Sequence, residues 1–103
     1  MIELSRRTRK VVEVFFPDKE TKELVESILV SECAENIPLI KNPSPEGLER
    51  IRFAVLKISA GDLGKFDEAV KIASIDWRDL FMAAGFGYDV EAHDKWYREI
   101  VES

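Results

Sequence analysis

Apolar residues in this chain recur at intervals of three and four positions rather than two, and this spacing restricts the fold more than any other feature. The clearest case is the segment 46–61, where the apolar stripe consists of Leu48, Ile51, Val55 and Ile58. Such a stripe is the face with which a helix packs against a core. Three more apolar residues widen it: Phe53, Ala54 and Leu56. The pattern predicts an all-α fold, a compact orthogonal array of about five helices with this one at the centre.

The N-terminal segment 4–16 allows two interpretations. Its apolar positions at 4, 11 and 15, together with Thr8, form one helical stripe, whereas "KVVEVFF" has the β-branched and aromatic composition of a strand. A lone strand needs a partner strand, and the sequence offers no second one. We therefore favour a helix, which Pro17 should end because the residue before a proline avoids the helical conformation.

Several short motifs are typical of helix ends. Ser44 is a good N-cap, and Pro45 at the first helical position loses no hydrogen bond by lacking an N–H. Gly61 should end this helix, and Asp62 should cap the next. The last helix is expected to begin at Asp89.

The segment 74–89, "SIDWRDLFMAAGFGYD", is explained by a short helix with two well-defined ends. Asp76 is the expected N-cap, with Ile75 and Leu80 at the two positions of a hydrophobic staple. Gly85 and Phe86 fit a Schellman ending, in which a left-handed glycine precedes an apolar contact. Most of the conspicuous residues in this segment therefore have a structural role.

Composition indicates one soluble domain covering 1–103 and located in the cytoplasm. A chain of 103 residues with 46% apolar residues is long enough to bury a single core. Its one cysteine, Cys33, excludes an intrachain disulfide and suits a reducing compartment. The N-terminus lacks the apolar region of a signal peptide, and no apolar run has the length of a membrane span, so no membrane partner is expected.

The net charge of -5 is unevenly distributed, because four of the 15 basic residues lie within five positions. The other 11 basic residues face 20 acidic ones, a balance of -9 that repels polyanions. The basic group is therefore the only candidate contact for nucleic acid or an anionic surface; it also suits an acidic protein patch or the chain's own acidic body. Its members are Arg6, Arg7, Arg9 and Lys10.

The sequence predicts no catalytic residue, cofactor or metal site. Cys33 and His93 are the only thiol and imidazole, and nothing in their spacing brings them into contact as a nucleophilic pair. One cysteine and one histidine cannot complete a structural zinc site. Cys33 is expected to be a buried small hydrophobe, and His93 to pack against Tyr88.

Two residues of the segment 74–89, Arg78 and Met82, point away from its apolar face and have no structural role, so they are candidate partner-binding residues. Val12 and Phe16 are expected to be exposed beside the stripe of the first helix. Exposed apolar groups of this kind mark contact surfaces for another protein or for a second copy of the chain.

Residues 49–87 contain the words "RFAVLKISAGD" and "DWRDLFMAAGF". They resemble a family of short uncharacterised bacterial proteins in which an "RFA.LK.S.GD" segment precedes "DWRDLL..AGF". The resemblance implies a self-contained bacterial domain and brings no activity, ligand or site residue with it.

Three functions are consistent with the sequence. The one we favour is a small cytosolic protein-interaction or regulatory module without catalytic activity, whose partner is another protein or a second copy. The first alternative is a nucleic-acid-associated protein that uses the basic segment 6–10. The second alternative is an enzyme or accessory subunit with a pocket of carboxylates, which strongly shifted carboxyl groups in a concave site would support.

Overall fold

The computed structural model describes residues 4–33, 44–87 and 91–102. In these ranges the chain forms six α-helices and no strand, which confirms the all-α class. In chain order the helices are α1 (Arg6–Phe15), α2 (Lys19–Glu32), α3 (Pro45–Ser59), α4 (Leu63–Ile75), α5 (Trp77–Ala84) and α6 (Ala92–Tyr97). A π-helical turn, Arg98–Glu102, continues α6.

The N-terminal segment 4–16 is a helix, as favoured over a strand. The side-chain oxygen of Ser5 accepts a hydrogen bond from the Thr8 N–H at 3.1 Å and caps the helix. At its other end, α1 stops at Phe15, two residues before Pro17.

The prediction that Val12 and Phe16 are exposed was wrong. Val12 is fully buried and Phe16 is 3% exposed, with its ring edge-on to Phe66 at a centroid distance of 6.1 Å. The reason is that α1 packs against α2, α3 and the 98–102 turn, so its apolar stripe is covered across its full width. Val14 is the exposed apolar residue of this helix.

Helix α3 is the central helix, as its wide apolar stripe predicts. It packs against α1, α4, α5 and α6, and residues 51–56 are all buried. The ring of Phe53 stacks on Tyr97 and meets Trp96 edge-on, with both centroid distances at 5.7 Å. This aromatic contact joins the centre of the core to the C-terminal helix.

The predicted ends of α3 are confirmed. Ser44 caps it by accepting from the Gly47 N–H at 3.0 Å, and Pro45 occupies the first turn. At the other end Ala60 has a left-handed backbone with φ 48, and Gly61 follows with φ 87. A Cβ on Gly61 would lie 3.2 Å from the Phe15 carbonyl oxygen, so this corner favours glycine for both its backbone angle and its close approach to α1.

Replacing Ser44 with alanine should lower the free energy of unfolding by about 1 kcal/mol, because the N–H of Gly47 loses its capping partner. Ser74→Ala is the matched control, because Ser74 lies inside α4, is exposed and donates to the Lys71 carbonyl of its own helix at 2.7 Å. Chemical denaturation followed by circular dichroism measures both variants. Equal stability of the two variants would contradict the capping role of Ser44.

Asp76 serves two helices at once, because it is the last cap of α4 and the first cap of α5. Its carboxylate accepts from the Arg78 N–H at 2.9 Å, which confirms the predicted N-cap. Its own N–H donates to the Ile72 carbonyl at 2.9 Å. The predicted staple between Ile75 and Leu80 was wrong, because Ile75 belongs to α4 and is 74% exposed while Leu80 is fully buried.

The C-terminal end of α5 is the predicted Schellman motif. The Phe86 N–H donates to the Phe81 carbonyl at 3.0 Å, and the Gly85 N–H donates to Met82 at 3.1 Å. Gly85 has φ 80, the left-handed angle that this motif needs, and Phe86 is buried as the apolar contact.

The last helix is described from Ala92. The predicted helix start at Asp89 and the predicted contact of Tyr88 with His93 fall on positions outside the described residues. None of the helices described is both long enough and apolar enough to cross a bilayer.

Candidate functional site

A small cleft lies where α5 packs beside α3, and we call it the α5 cleft. Its volume is about 150 Å³. It is lined by Arg50, Trp77, Arg78, Phe81, Met82 and Gly87. The cleft therefore combines three large apolar side chains with two guanidinium groups.

The apolar lining of the α5 cleft is held in place by contacts between its own rings. Trp77 meets Phe81 edge-on at a centroid distance of 5.3 Å, and the Arg50 guanidinium lies 4.5 Å from the centre of the Phe81 ring. Trp77 is half-buried, and its indole Nε1 is buried without a hydrogen-bond partner among the described residues. Met82 is 60% exposed at the edge of this aromatic pair.

Arg78 is oriented by the helix cap beside it. Its Nε and Nη2 atoms donate to the two carboxylate oxygens of Asp76 at 3.1 and 3.2 Å. These hydrogen bonds hold the pKa of the Asp76 carboxyl below its usual range. The cap thus fixes a planar cation at the rim of the α5 cleft.

The structure places Arg78 and Met82, the two partner-binding candidates from this segment, in the same cleft. Arg50 and Trp77 are not among the partner-binding residues predicted from the sequence. Arg50 reaches the cleft through the packing of α3 on α5, for which the sequence holds no local signal. The sequence signal for Trp77 as a site residue is that it is the largest residue at the start of a short helix.

The basic segment 6–10 does not act as one patch. Arg6, Arg9 and Lys10 are exposed and line a groove of about 720 Å³ on the surface of α1 and α2. The other charged residues of this α1–α2 groove are Lys19, Lys22, Glu13, Glu23 and Glu26. Five basic and three acidic side chains therefore line the groove, and the acidic ones cancel part of its positive charge.

Arg7 is separated from the basic groove and belongs to a second set of charges, the Arg7 cluster, which consists of Arg7, Glu49, His93 and Asp94. Its guanidinium donates to Asp94 at 2.5 Å and lies 3.4 Å from a Glu49 carboxylate oxygen. The same group sits 4.5 Å from the centre of the Tyr97 ring. Arg7 thus pairs with acidic residues of its own chain. This pairing is one of the alternatives that the sequence offered for the basic segment.

Two ionisable groups of the Arg7 cluster have shifted pKa values. The hydrogen bond from Arg7 holds the pKa of the Asp94 carboxyl below its usual range. Burial lowers the pKa of the His93 imidazole, since a desolvated ring disfavours the charged form. His93 Nε2 lies 3.5 Å from Asp94 Oδ1, and its Nδ1 is buried without a hydrogen-bond partner in the described part of the chain.

Replacing Arg7 with glutamine should lower the free energy of unfolding by about 2 kcal/mol, because partly buried ion pairs and a cation–π contact are lost together. Arg6→Gln is the control, because Arg6 is an exposed arginine on the same helix and should change stability by less than about 0.5 kcal/mol. Thermal and urea denaturation of the two variants measure the difference. If Arg7→Gln lowers the free energy of unfolding no more than Arg6→Gln does, the cluster does not stabilise the packing of α1 against α3 and α6.

Cys33 and His93 do not form the nucleophilic pair considered from the sequence, because His93 Nε2 lies beside Asp94 and its Nδ1 has no hydrogen-bond partner among the described residues. The charges that act on the Cys33 thiol are those of Arg52 and Glu32, whereas His93 is influenced by groups on α1, α3 and α6. Cys33 is fully buried, as expected of a small hydrophobe, and burial raises its pKa to about 12. Its carbonyl accepts from the buried Arg52 Nε at 3.1 Å.

Carboxylate chemistry finds no support at these sites. Of the carboxyl groups in the described ranges, those with a resolved shift are Asp76 and Asp94, and both pKa values are lowered. A general acid would need a raised value to hold its proton near neutral pH. Both groups act as partners of an arginine instead.

Comparison of the chain with protein-family models, with curated proteins and with solved structures finds no match. The resemblance of residues 49–87 to a bacterial family therefore stays a prediction. Any function has to be argued from the α5 cleft, the α1–α2 groove and the Arg7 cluster themselves.

Proposed function

We propose that this chain is a small cytoplasmic protein-interaction module without catalytic activity, which binds a partner protein through the α5 cleft. The observation that carries the proposal is the position of Met82, 60% exposed, beside the half-buried Trp77 in one cleft. Methionine and tryptophan are enriched at protein interfaces, methionine for its adaptable shape and tryptophan for its large contact area. The buried free thiol of Cys33 suits the reducing compartment in which we place the chain.

The size of the α5 cleft favours a protein side chain over a small molecule. Sites for small-molecule ligands usually measure about 300 to 1,000 Å³, whereas this cleft measures about 150 Å³. One apolar side chain, such as leucine or phenylalanine, fits a space of this size. The partner would insert that side chain against Trp77 and Phe81.

The charges of the α5 cleft favour an acidic neighbour beside that side chain. Arg50 covers the Phe81 ring, and Arg78 is held at the rim by Asp76. Two guanidinium groups against the single carboxylate of Asp76 give these three groups a net positive charge, which attracts a carboxylate. We therefore expect the partner segment to carry leucine or phenylalanine next to aspartate or glutamate.

The experiment is affinity capture from nuclease-treated lysate, followed by titration of the identified partner against three forms of the chain. Met82→Glu places a negative charge at the mouth of the cleft and should weaken binding at least about tenfold, because it repels the acidic segment and blocks the apolar one. Leu24→Glu is the matched control, since Leu24 is a 50% exposed apolar residue on α2 and should leave binding unchanged. Equal affinity of the two variants would place the binding surface elsewhere.

A second candidate function is nucleic-acid binding along the α1–α2 groove. The observation in its favour is that Arg6, Arg9 and Lys10 are joined there by Lys19 and Lys22. Contacts to phosphates make affinity fall steeply with salt. The three glutamates of the groove weaken this attraction, and for that reason we rank the function second.

Fluorescence anisotropy with labelled single-stranded and double-stranded DNA over a salt series tests the second function. Changing Arg6 and Arg9 together to alanine should flatten the salt dependence, because two phosphate contacts are lost. Lys71→Ala is the control, because Lys71 is an exposed lysine on α4 paired with Asp67. Arg7 is left unchanged, because its replacement is expected to lower the free energy of unfolding. Absence of a salt-dependent signal in the unaltered chain would remove this candidate.

A further inference from the structure

The Arg7 cluster brings together three potential metal ligands from distant parts of the chain. One ligand atom each from Glu49, His93 and Asp94 lies within 4.8 Å of the others. Glu49 lies on α3, and the other two residues are consecutive on α6. The packing of two helices therefore creates a donor set that no spacing motif in the sequence announces.

The histidine of this cluster gives an independent indication of a ligand. His93 is 7% exposed, and its Nδ1 has no hydrogen-bond partner within the described ranges. Its Nε2 is 3.5 Å from Asp94 Oδ1, at the outer limit of a hydrogen bond. Buried polar atoms are normally satisfied, so a buried imidazole with such poor partners stands out. Coordination of a cation would give a partner to the ring nitrogen that binds it.

A bound cation would have to compete with the positive charges already around the two carboxylates. Glu49 and Asp94 supply two negative charges, and Arg7 contacts both of them, while Arg50 acts on His93 and Arg98 acts on Asp94 as further positive charges. The Arg7 side chain is 38% exposed and that of Asp94 is 33% exposed, so solvent reaches the cluster from their side. An ion that binds both carboxylates therefore has to displace the Arg7 guanidinium, which contacts them now.

We propose that Glu49, His93 and Asp94 form a binding site for a divalent transition-metal ion, and that the Arg7 guanidinium competes with the ion for the two carboxylates. Imidazole combined with carboxylates suits zinc, cobalt, nickel and iron better than magnesium or calcium, which prefer oxygen ligands alone. Three protein ligands leave at least one coordination position for water, as in open metal sites. The site is distinct from the α5 cleft, so the result of its test does not depend on the proposed function.

Cobalt(II) is the probe, because its visible absorption reports on the ligands of the bound ion, and zinc(II) measured by calorimetry gives the affinity. The untagged chain should bind one ion per molecule. His93→Gln should abolish the cobalt spectrum, since the nitrogen ligand is lost. Arg7→Gln should bind zinc about tenfold or more tightly, because the competing charge is removed. Arg6→Gln is the control for lost positive charge on the same helix and should match the unaltered chain.

Each variant is first checked for helical content by far-ultraviolet circular dichroism. If Arg7→Gln fails to fold, the comparison of the unaltered chain with His93→Gln decides the question alone. A cobalt spectrum that persists in His93→Gln would overturn the proposal, because the ion would then sit on surface carboxylates. The absence of binding in both the unaltered chain and a folded Arg7→Gln would overturn it equally.

Discussion

Replacing Phe53 with alanine is expected to lower the free energy of unfolding by about 4 kcal/mol, because a fully buried aromatic side chain leaves a cavity. Phe53 lies on the central helix and contacts three rings of α6: those of His93, Trp96 and Tyr97. Its loss therefore removes apolar burial and also the aromatic contacts that join α3 to the C-terminal helix.

Urea denaturation followed by tryptophan fluorescence and by circular dichroism measures the effect of Phe53→Ala. A domain of this size has a total stability of roughly 5 to 15 kcal/mol, so the alanine variant can be largely unfolded in buffer. Phe53→Leu keeps most of the volume and should lose only about 1.5 kcal/mol, which stays measurable. Leu24→Ala on the exposed face of α2 is the control and should change little. If Phe53→Ala lowers the free energy of unfolding by less than about 2 kcal/mol, Phe53 does not lie at the centre of the core.

The helix ends could be predicted because they depend on neighbours within five positions. Ser44, Asp62 and Asp76 each cap through a backbone N–H two or three residues along the chain. Gly85 ends α5 by contacts of the same short range. A rule based on such local hydrogen bonds needs no knowledge of the tertiary structure.

The staple at Ile75 shows how a local rule fails when a neighbouring helix changes its context. A staple requires the residue before the cap to approach from a non-helical segment. Here Asp76 ends α4 as it begins α5, so the direction of Ile75 is set by the helical turn of α4. The spacing of Ile75 and Leu80 fits a staple, but the helical conformation of Ile75 does not.

The two clusters of side chains with functional content could not be predicted, because each joins separate helices. Arg7 and Asp94 are 87 positions apart and meet only because α1 and α6 both contact α3. Arg50 enters the α5 cleft in the same indirect way. The sequence singled out Arg78 and Met82 by elimination, since their positions on a short helix left them without a packing role.

The thiol of Cys33 is expected to react with a thiol reagent at pH 8 at least about a thousandfold more slowly in the folded chain than in the urea-unfolded chain. The thiolate is the reacting form, and burial raises the pKa of this thiol from 9.0 to about 12. Such a rise lowers the fraction of thiolate by about a factor of a thousand. Because the side chain is fully buried, the reagent also has to wait for an opening of the structure.

The same raised pKa predicts how stability depends on pH. Below pH 9.0 the thiol is neutral in both the folded and the unfolded chain, so its full contribution to stability is present. Above pH 9.0 the unfolded chain releases this proton while the folded chain keeps it, so stability falls as pH rises toward about 12. Denaturation curves of the unaltered chain and Cys33→Ala between pH 7 and pH 11 isolate this contribution, because the two chains differ only in this side chain. Parallel stability profiles above pH 9, or rapid labelling of the folded chain, would show that solvent reaches Cys33 and that the end of α2 opens beside Arg52.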